Sequence, residues 1–378
     1  MPAWRGAIQP GSTDPARGQP VTFGTNLLGR LPVYHLLATT NAVLHSQFID
    51  QYGGDAYLWT GALVSDGEVY DHIHFRARGG VWRYSMGKNM WKFDFNKGHD
   101  FVARDHYGRR YGTAWTKLNL GACIQQGDYQ HRGEQGMFES VGFRLFNLAG
   151  VEAPKTHFVQ FRVIDEPLEA DSTNQYRGDF WGLYLAVEQE DGRFLDEHGL
   201  PDGNLYKMEG GTGELNNLGT TGVRDKSDLN KFMSGYRATQ GEAWWRANFD
   251  LERYYSYQAI VQGIHHYDIC AQKNYFYLLN PETGRWSVHP WDLDLTWADN
   301  MYNSGCGGVD EFKNRVLPLP AINLEFKNRV REIRDLLFNT NQTWQLIDEY
   351  AALIYDPAAG PTVVAADRAQ WDYNPIMR

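Results

Sequence analysis

Apolar and polar positions alternate with a period of two through much of the first half of the chain. Pro32-Val-Tyr-His-Leu-Leu-Ala38, Ala56-Tyr-Leu-Trp-Thr-Gly-Ala-Leu-Val64 and Val69-Tyr-Asp-His-Ile-His-Phe-Arg-Ala-Arg78 alternate or carry β-branched and aromatic residues between Gly and Asp turns, which predicts strands. Asp66-Gly67 predicts the hairpin turn that joins the last two. Met90-Trp-Lys-Phe-Asp-Phe95 predicts another strand, with Met90, Lys92 and Asp94 on one face and Trp91, Phe93 and Phe95 on the other. The greasy face belongs to a core, so Lys92 lies on the opposite one.

The period changes at 136–149, where Phe138, Val141, Leu145 and Leu148 recur at helical spacing and Gly150 supplies the stop. Strands resume at His157–Ile164 and Trp181–Glu188, the second running into the polar turn Glu188-Gln189-Glu190-Asp191-Gly192 and a short helix at Arg193–Glu197. Residues 210–229 are rich in Gly, Thr and Asn with little periodicity, and read as a surface loop or insert. From Glu242 onward the pattern is mainly helical, at Leu251–Gly263, Phe326–Phe338 and Thr343–Tyr355. It is interrupted by a hairpin in which Asn274–Leu279 and Trp286–Pro290 flank a turn at Pro281–Gly284. The expected organisation is a loose Gly- and Pro-rich arm over 1–25, a β-rich lobe with one long helix over 26–190, and a mainly helical lobe over 191–378.

A chain of 378 residues, 42% hydrophobic and 22% charged, is long enough for a substantial core and excludes disordered, collagen-like and disulfide-framework classes. Lys and Arg total 36 against 46 Asp and Glu, a net charge of −10 that argues against a general nucleic-acid binder. No apolar run approaches the roughly 20 residues of a membrane span. The first twenty residues carry neither the basic start nor the apolar stretch of a secretory signal, so no export address is visible in the sequence as read. Cys123, Cys270 and Cys306 are scattered and lack a CxxC pair, which makes buried thiols the expectation.

The densest polar cluster is His265-His-Tyr-Asp268, followed by Asn274 and, across the predicted hairpin, Asp292-Leu-Asp294. Three carboxylates and an amide meeting at one hairpin end are the oxygen donors that Mg²⁺ or Ca²⁺ takes. Aspartates in turns equally serve as helix caps or acceptors for loop amides. His131, His265, His266 and His289 lack ligand spacing such as HxxxH, so zinc is not supported.

Asp268-x5-Asn274-Tyr-Phe-Tyr, continued through Gly284-Arg-Trp286 to Pro290-Trp-Asp-Leu-Asp-Leu-Thr-Trp297, resembles the signature of the CotH kinase family, spore-coat kinase homologues with an atypical protein-kinase-like fold. Further blocks resemble the family in order: Arg76-Ala-Arg78-Gly79 followed by Lys88, the helix from Glu139 to Gly150, Gly182-Leu-Tyr-Leu-Ala-Val-Glu188-Gln189, and Asn204-Leu-Tyr-Lys207. Together they cover most of residues 30 to 370. The resemblance implies an α+β, bilobal, kinase-like fold with a β-rich N-lobe carrying one long helix and a mainly helical C-lobe.

It also implies roles, which follow the logic of phosphoryl transfer by positioning and charge neutralisation. Arg78, Gly79 and Gly80 would form the phosphate-covering turn. Lys88 or Lys92 would contact the phosphates, with Lys92 favoured by its strand face, and Glu139 would be the ion-pair partner. Glu188, Gln189 and Glu190 would be the hinge beside an adenine ring, although such a turn needs no ligand. Lys207 would reach the nucleotide or lie idle on the surface. Asp268 would be the catalytic-loop acid, Asn274 and Asp294 metal ligands, and Asp292 a ligand or its support. Two departures from the family stand out: Gly80-Val81-Trp82 replaces the serine-bearing turn, and Phe138 precedes Glu139 where a basic residue is usual.

The implied activity is ATP- and Mg²⁺-dependent transfer of the γ-phosphate to Ser or Thr of a protein, the chain itself among the candidate substrates, with Mn²⁺ or Ca²⁺ as alternative metals. The same nucleotide site would also suit AMP transfer or amino-acid ligation such as glutamylation. A third reading is a non-catalytic surface binding module, since family members are often found in spore coats or outside the cell.

Overall fold

The structure is a computed structural model that describes residues 4–5, 22–23, 31–46, 58–79, 88–123, 136–167, 179–269, 273–297, 310–356, 358 and 362–370. The chain forms two compact units, one from residues 1–137, 156–189 and 348–378, the other from 138–155 and 190–347. Among the described residues no helix is long and apolar enough to cross a membrane.

In the first unit, β1 (Trp4–Arg5) pairs with β2 (Thr22–Phe23), and seven further strands close into a barrel. They are β3 (Val33–Leu37), β4 (Trp59–Ser65), β5 (Glu68–Arg78), β6 (Met90–Asp94), β7 (Lys117–Gly121), β8 (Thr156–Ile164) and β9 (Phe180–Glu188), in the order β3-β4-β5-β6-β7-β9-β8. A helix, α1 (Thr40–Ser46), follows β3. Asp66 and Gly67, at φ 51° and 81°, turn β4 into β5 as the sequence predicts, because a two-residue hairpin needs left-handed backbone at both positions. Closure comes from β3 pairing parallel with β8, Val33 opposite Gln160 through Leu37 opposite Ile164. A closed sheet has no exposed edge to protect.

The barrel interior is filled by side chains: Tyr34, Leu36, Leu63, Ile73, Phe75, Trp91, Phe93, Leu118, Leu120, Val159, Phe161 and Val163 are all buried there. Trp91 meets Phe161 at 5.5 Å and Trp181 at 5.4 Å, both edge to face, the geometry the ring quadrupoles favour. Trp181 and Tyr184 both reach this core although three positions apart. A bulge explains it: Gly182 stands opposite Phe161 but Phe180 opposite Arg162, so Trp181 is the extra residue and the in–out parity resets at Gly182, whose φ is 113°.

The pairing of β7 with β9 ends at Gly121 opposite Leu185, two residues short of Leu183. There the Leu183 N–H donates to Asp367 Oδ1 at 2.8 Å and its carbonyl accepts from Lys88 Nζ at 2.5 Å. Asp367 lies on a C-terminal helix at Val363–Gln370 that packs along β9. Its Oδ1 also takes a 2.7 Å ion pair from Lys88, both side chains are 0% exposed, and the ammonium sits 4.3 Å from the centre of the Tyr184 ring. Among the described residues, one buried ion pair thus serves Leu183 in place of a β7 partner and fastens the helix at Val363–Gln370 to the barrel.

The second unit contains α2 (Met137–Leu148) from its second residue onward, α3 (Gly192–Glu197) with Asp191 as N-cap, and the antiparallel sheet β11-β10-β12-β13. Its strands are β10 (Leu205–Glu209), β11 (Thr212–Asn217), β12 (Tyr275–Leu279) and β13 (Trp286–Pro290). The remaining helices of this unit are α4 (Ser227–Arg237), α5 (Glu242–Asn248), α6 (Leu251–Gly263), α7 (Lys313–Val316) and α8 (Pro320–Leu336). The chain then enters α9 (Thr340–Ile354) and α10, the helix of Asp367. Phe312 centres an aromatic core, 4.5 Å from Phe249, 5.1 Å from Tyr236 and 5.5 Å from Tyr277. Asp310 secures it by accepting the Phe312 and Lys313 N–H groups and the Tyr254 hydroxyl, and burial pushes its carboxyl up to about 6.

Two expectations are corrected. Residues 210–229 are not a surface insert: Gly210 and Gly211, at φ 57° and 83°, fold β11 back on β10, and α4 then buries Leu229, Phe232, Met233 and Tyr236. The bilobal kinase-like fold, with one long helix on a β-rich N-lobe and a mainly helical C-lobe, is overturned as well. The β-rich part is a closed seven-stranded barrel, the long helix belongs almost wholly to the other unit, and that unit carries a four-stranded sheet among its helices. Ten helices in all occur among the described residues.

Asp367→Ala leaves the Lys88 ammonium buried without its counter-charge, and we expect a loss of about 3–5 kcal/mol from the barrel's stability, read by urea denaturation followed through tryptophan fluorescence. Lys88→Met combined with Asp367→Leu should recover only part of it, because the Leu183 N–H then remains unpaired at a cost of about 1–3 kcal/mol.

Candidate functional site

Helix α6 ends with Ile264 as its C-cap, and His265, at φ 50°, turns the chain away. The His266 N–H closes the helix on the Val261 carbonyl at 3.0 Å, and burial lowers its imidazole to about 3, so it is neutral beside the backbone of Trp291 and Leu295. The last rung of the β12–β13 ladder pairs Tyr275 with Pro290, which places Asn274 and Trp291 side by side, and the Trp291 N–H donates to the Asn274 carbonyl at 3.1 Å. Farther along, the Trp297 N–H donates to the Ile264 carbonyl at 2.5 Å. The stretch holding Asp268 and the stretch holding Asp292 and Asp294 are therefore laced together at one end of the hairpin.

Asp268 and Asn274 are in direct contact. The Asn274 carboxamide nitrogen donates to Asp268 Oδ2 at 2.7 Å and to the Asp268 carbonyl at 2.9 Å, while Lys273 Nζ lies 2.9 Å from the same carboxylate. Asn274 is buried with φ 65°, a backbone that Asn tolerates better than most residues. With Nδ2 committed to Asp268, no donor among the described residues reaches Asn274 Oδ1, which is left as an acceptor. Asp292, at φ 59°, and Asp294 are half-buried in the loop after β13, and Thr296 pins that loop through its hydroxyl to the Leu293 carbonyl at 2.8 Å. Among the described residues no three His, Cys, Asp or Glu side chains converge as a ready-made metal cluster. The side chains offered near the hairpin end are carboxylates and an amide, oxygen donors of the kind Mg²⁺ takes rather than a transition metal.

The barrel holds the second group of candidates. Alternation along β6 turns Trp91 and Phe93 inward and leaves Lys92 half-buried on the outer face. Lys92 stands opposite Arg76 of β5 on one side and Asn119 of β7 on the other. Burial lowers its ammonium to about 8, and the nearby cations Lys117, Arg76 and Arg78 push the same way against Asp94. Asn119 is itself buried and donates to Gln189 Oε1 at 3.2 Å.

The other expected residues fall as follows. Lys88 is committed to Asp367 and Leu183 in the barrel wall. Glu139 is half-buried in the first turn of α2. Arg78 ends β5 and Gly79 follows it at φ 116°, while Gly80 lies outside the described residues. Glu188, Gln189 and Glu190 are buried where the chain passes from the first unit to the second, and the Glu190 carbonyl accepts from Asn216 Nδ2 at 3.1 Å. Lys207, on β10, pairs loosely with Glu209 at 3.6 Å. Sequence reasoning passed over Lys273, Arg76, Lys117 and Asn119. The signal for Arg76 was present in the same alternation that placed Lys92, whereas Lys117-Leu-Asn-Leu-Gly121 is too short a strand to announce itself.

The family model described as CotH kinase protein matches residues 75–372, most of the chain, and spans both the lysine-bearing strand and the acid-bearing hairpin. The chain belongs to the CotH kinase protein family. That membership points to a kinase-like transferase activity. No curated protein matches the chain.

A lysine whose amine is depressed to about 8 when folded, against about 10.5 when unfolded, makes the folded state pay for its charge below pH 8. The unfolded chain binds the extra proton between those values, so stability rises with pH across that window. Lys92→Met is therefore expected to raise the denaturation midpoint at pH 7, with the gain shrinking as pH climbs from 8 towards 10.5. Parallel denaturant titrations of both proteins at pH 7 and pH 10 check this.

Proposed function

We propose that the chain is an ATP- and Mg²⁺-dependent phosphotransferase acting on Ser or Thr hydroxyls of a protein, with the chain itself as one candidate substrate. The observation that carries this reading is the Asp268–Asn274 contact at 2.7 Å, beside Lys273 and next to the loop of Asp292 and Asp294. Family membership supplies the reaction class.

Phosphoryl transfer asks little covalent chemistry of a protein; it asks that charge on the phosphate oxygens be matched and that the attacking hydroxyl be aimed. Asp268 suits the second task. Its carboxylate is an acceptor for a hydroxyl proton, and Asn274 and Lys273 fix its orientation, so the oxygen is in place before substrate arrives. Lys92 suits the first task, being a cation on a rigid strand that is already largely stripped of water. Asp294, Asn274 through Oδ1, and Asp292 would hold Mg²⁺, which when bound supplies charge neutralisation to the phosphates. Asn274 would then join the two tasks, one end of its carboxamide orienting Asp268 and the other facing the metal.

Lys88 fits a different part. An ammonium enclosed with Asp367 and the Leu183 carbonyl has a counter-charge already, so Lys92 is the lysine assigned to the phosphates. Glu188 to Glu190 would supply backbone groups to the base, and Lys207 and the Arg78-Gly79-Gly80 turn would lie along the nucleotide.

Intact mass of the purified chain after incubation with ATP and Mg²⁺, with and without added amino acids, tests the reading. Phosphate increments are expected for the wild type, abolished in Asp294→Ala and reduced at least a hundredfold in Asp268→Asn. Increments of AMP or of amino-acid residues would keep the site and replace the reaction. Increments that persist in Asp294→Ala would overturn the metal assignment.

A further inference from the structure

A cleft of about 440 Å³ opens in the second unit, walled by Ala149 and Gly150 just after α2, by Asp250, Glu252 and Arg253 at the start of α6, and by Arg329 of α8. Its volume is that of a site for a small ligand or for one or two side chains. The phosphotransfer reading makes no use of it. Helix α6 is thirteen residues long, about 20 Å, and runs from the cleft to the His265 turn that precedes Asp268.

The negative end of α2 and the positive start of α6 both meet the cleft and offset one another, so side chains set its sign. Both guanidiniums are already committed. Arg329 donates through Nε to Ser256 Oγ at 2.9 Å and through a terminal nitrogen to the Ala149 carbonyl at 2.9 Å, and it pairs with Glu332 at 2.6 Å. Arg253 pairs with Glu152 at 2.8 Å and with Asp250 at 3.2 Å, and its Nε is enclosed by protein. Little of either fork is left for an anion. Carboxylates are in excess: Asp250, Glu152 and Glu332 share the two guanidiniums, while Glu252, exposed in the first turn of α6, has no ion-pair partner among the described residues. Asp250 is further occupied as the N-cap of α6, its side chain accepting the Arg253 N–H at 3.2 Å. Glu252 is thus the acceptor that the cleft holds out to a cation.

We propose that this cleft binds an alkylguanidinium or alkylammonium group, the Arg or Lys side chain of a segment of a protein partner, with Glu252 as its carboxylate contact. A chain of net charge −10 draws basic segments towards it, and a guanidinium matches a carboxylate in shape as well as in charge. The site goes beyond the phosphotransfer reading and does not depend on it: the segment docks whichever group the hairpin end transfers.

Calorimetric titration of the full chain at low salt with acetyl-Gly-Arg-Gly-amide, with the same peptide carrying uncharged citrulline for Arg, and with agmatine, tests the proposal. The Arg peptide is expected to bind the wild type and the citrulline peptide to fail. Glu252→Gln should weaken the Arg peptide about fivefold, the loss of one partly exposed ion pair, and Glu252→Arg should abolish its binding. Glu282→Gln removes the same charge from the exposed β12–β13 turn and should change nothing. Glu252 is exposed, so its variants are expected to fold, and if Glu252→Arg does not, Glu252→Gln still decides. No binding of the Arg peptide, equal binding of the citrulline peptide, or equal binding by Glu252→Gln would overturn the proposal and leave the phosphotransfer reading standing. An equal loss in Glu282→Gln would overturn it too, since the attraction would then be to the net charge alone. Agmatine binding more tightly than the Arg peptide would overturn the assignment to a protein segment in favour of a free small cation.

Discussion

Closing seven strands around a filled interior leaves each residue of the barrel two options, in or out, and that restriction governs everything else in the first unit. The interior is crowded with aromatic rings, Trp91, Trp181, Phe75, Phe93 and Phe161 among them, and close-packed rings cannot trade places without leaving voids. Once Trp91 and Phe93 are committed inward, Lys92 must face out. The antiparallel register then puts Arg76 and Asn119 beside it. Core packing thus brings Arg76, Lys92 and Lys117 to one face of the sheet. A one-residue slip in β6 would bury Lys92 in the aromatic core and expose both rings, so the register is strongly defended.

The two lysines show how burial divides labour. Lys88 and Lys92 are four positions apart, yet one is sealed against Asp367 and the other lies on the cationic face. A buried ion pair contributes little net stability, because desolvation offsets most of the attraction. What the Lys88–Asp367 pair provides is specificity. Leu183 presents an N–H and a C=O where β7 has run out, and only a paired donor and acceptor satisfy both at once. The C-terminal helix is consequently held at one place on β9, and the barrel wall is complete only when residue 367 has arrived. Among the described residues Lys92 has no such partner, and burial, only partly offset by Asp94, depresses its ammonium to about 8.

Much of this was legible in the sequence, and the rest was hidden for physical reasons. The strand at Met90–Asp94, the Asp66-Gly67 turn, the helix at 137–148 and the hairpin of β12 and β13 all have strong local periods or turn chemistry, and they form where the pattern puts them. The hairpin also juxtaposes Asn274 and Trp291, a pairing foreseeable from turn geometry alone. Barrel closure was not. It depends on β3 meeting β8 across more than a hundred residues, and parallel pairing leaves no local signature. The partner of Lys88 was equally invisible, since Asp367 lies 279 positions away on a helix with a weak pattern. Thr212–Asn217 failed for the opposite reason: one leucine among polar residues does not read as a strand, and only the Gly210-Gly211 turn and the neighbouring β10 make it one.

The hairpin end carries a further mark that patterning does not reveal. His265, Asn274, Asp292 and Trp297 all adopt left-handed backbone, at φ 50°, 65°, 59° and 64°. Asn and Asp enter that region at modest cost, but a bulky residue such as Trp297 is strained there by roughly 1–2 kcal/mol. Such conformations persist only where surrounding contacts over-determine them. Here the contacts are identifiable: the Trp297 N–H donates to the Ile264 carbonyl, Asn274 Nδ2 donates two hydrogen bonds to Asp268 while its carbonyl accepts from the Trp291 N–H, and the His265 turn is held by the His266 N–H on the Val261 carbonyl. The effect is to aim Asp268 and the Asn274 carboxamide from backbone positions that an ordinary loop would not occupy. A loop relaxed to right-handed geometry would rotate these side chains away from each other, so the strain is what keeps the acid and the amide within hydrogen-bonding distance.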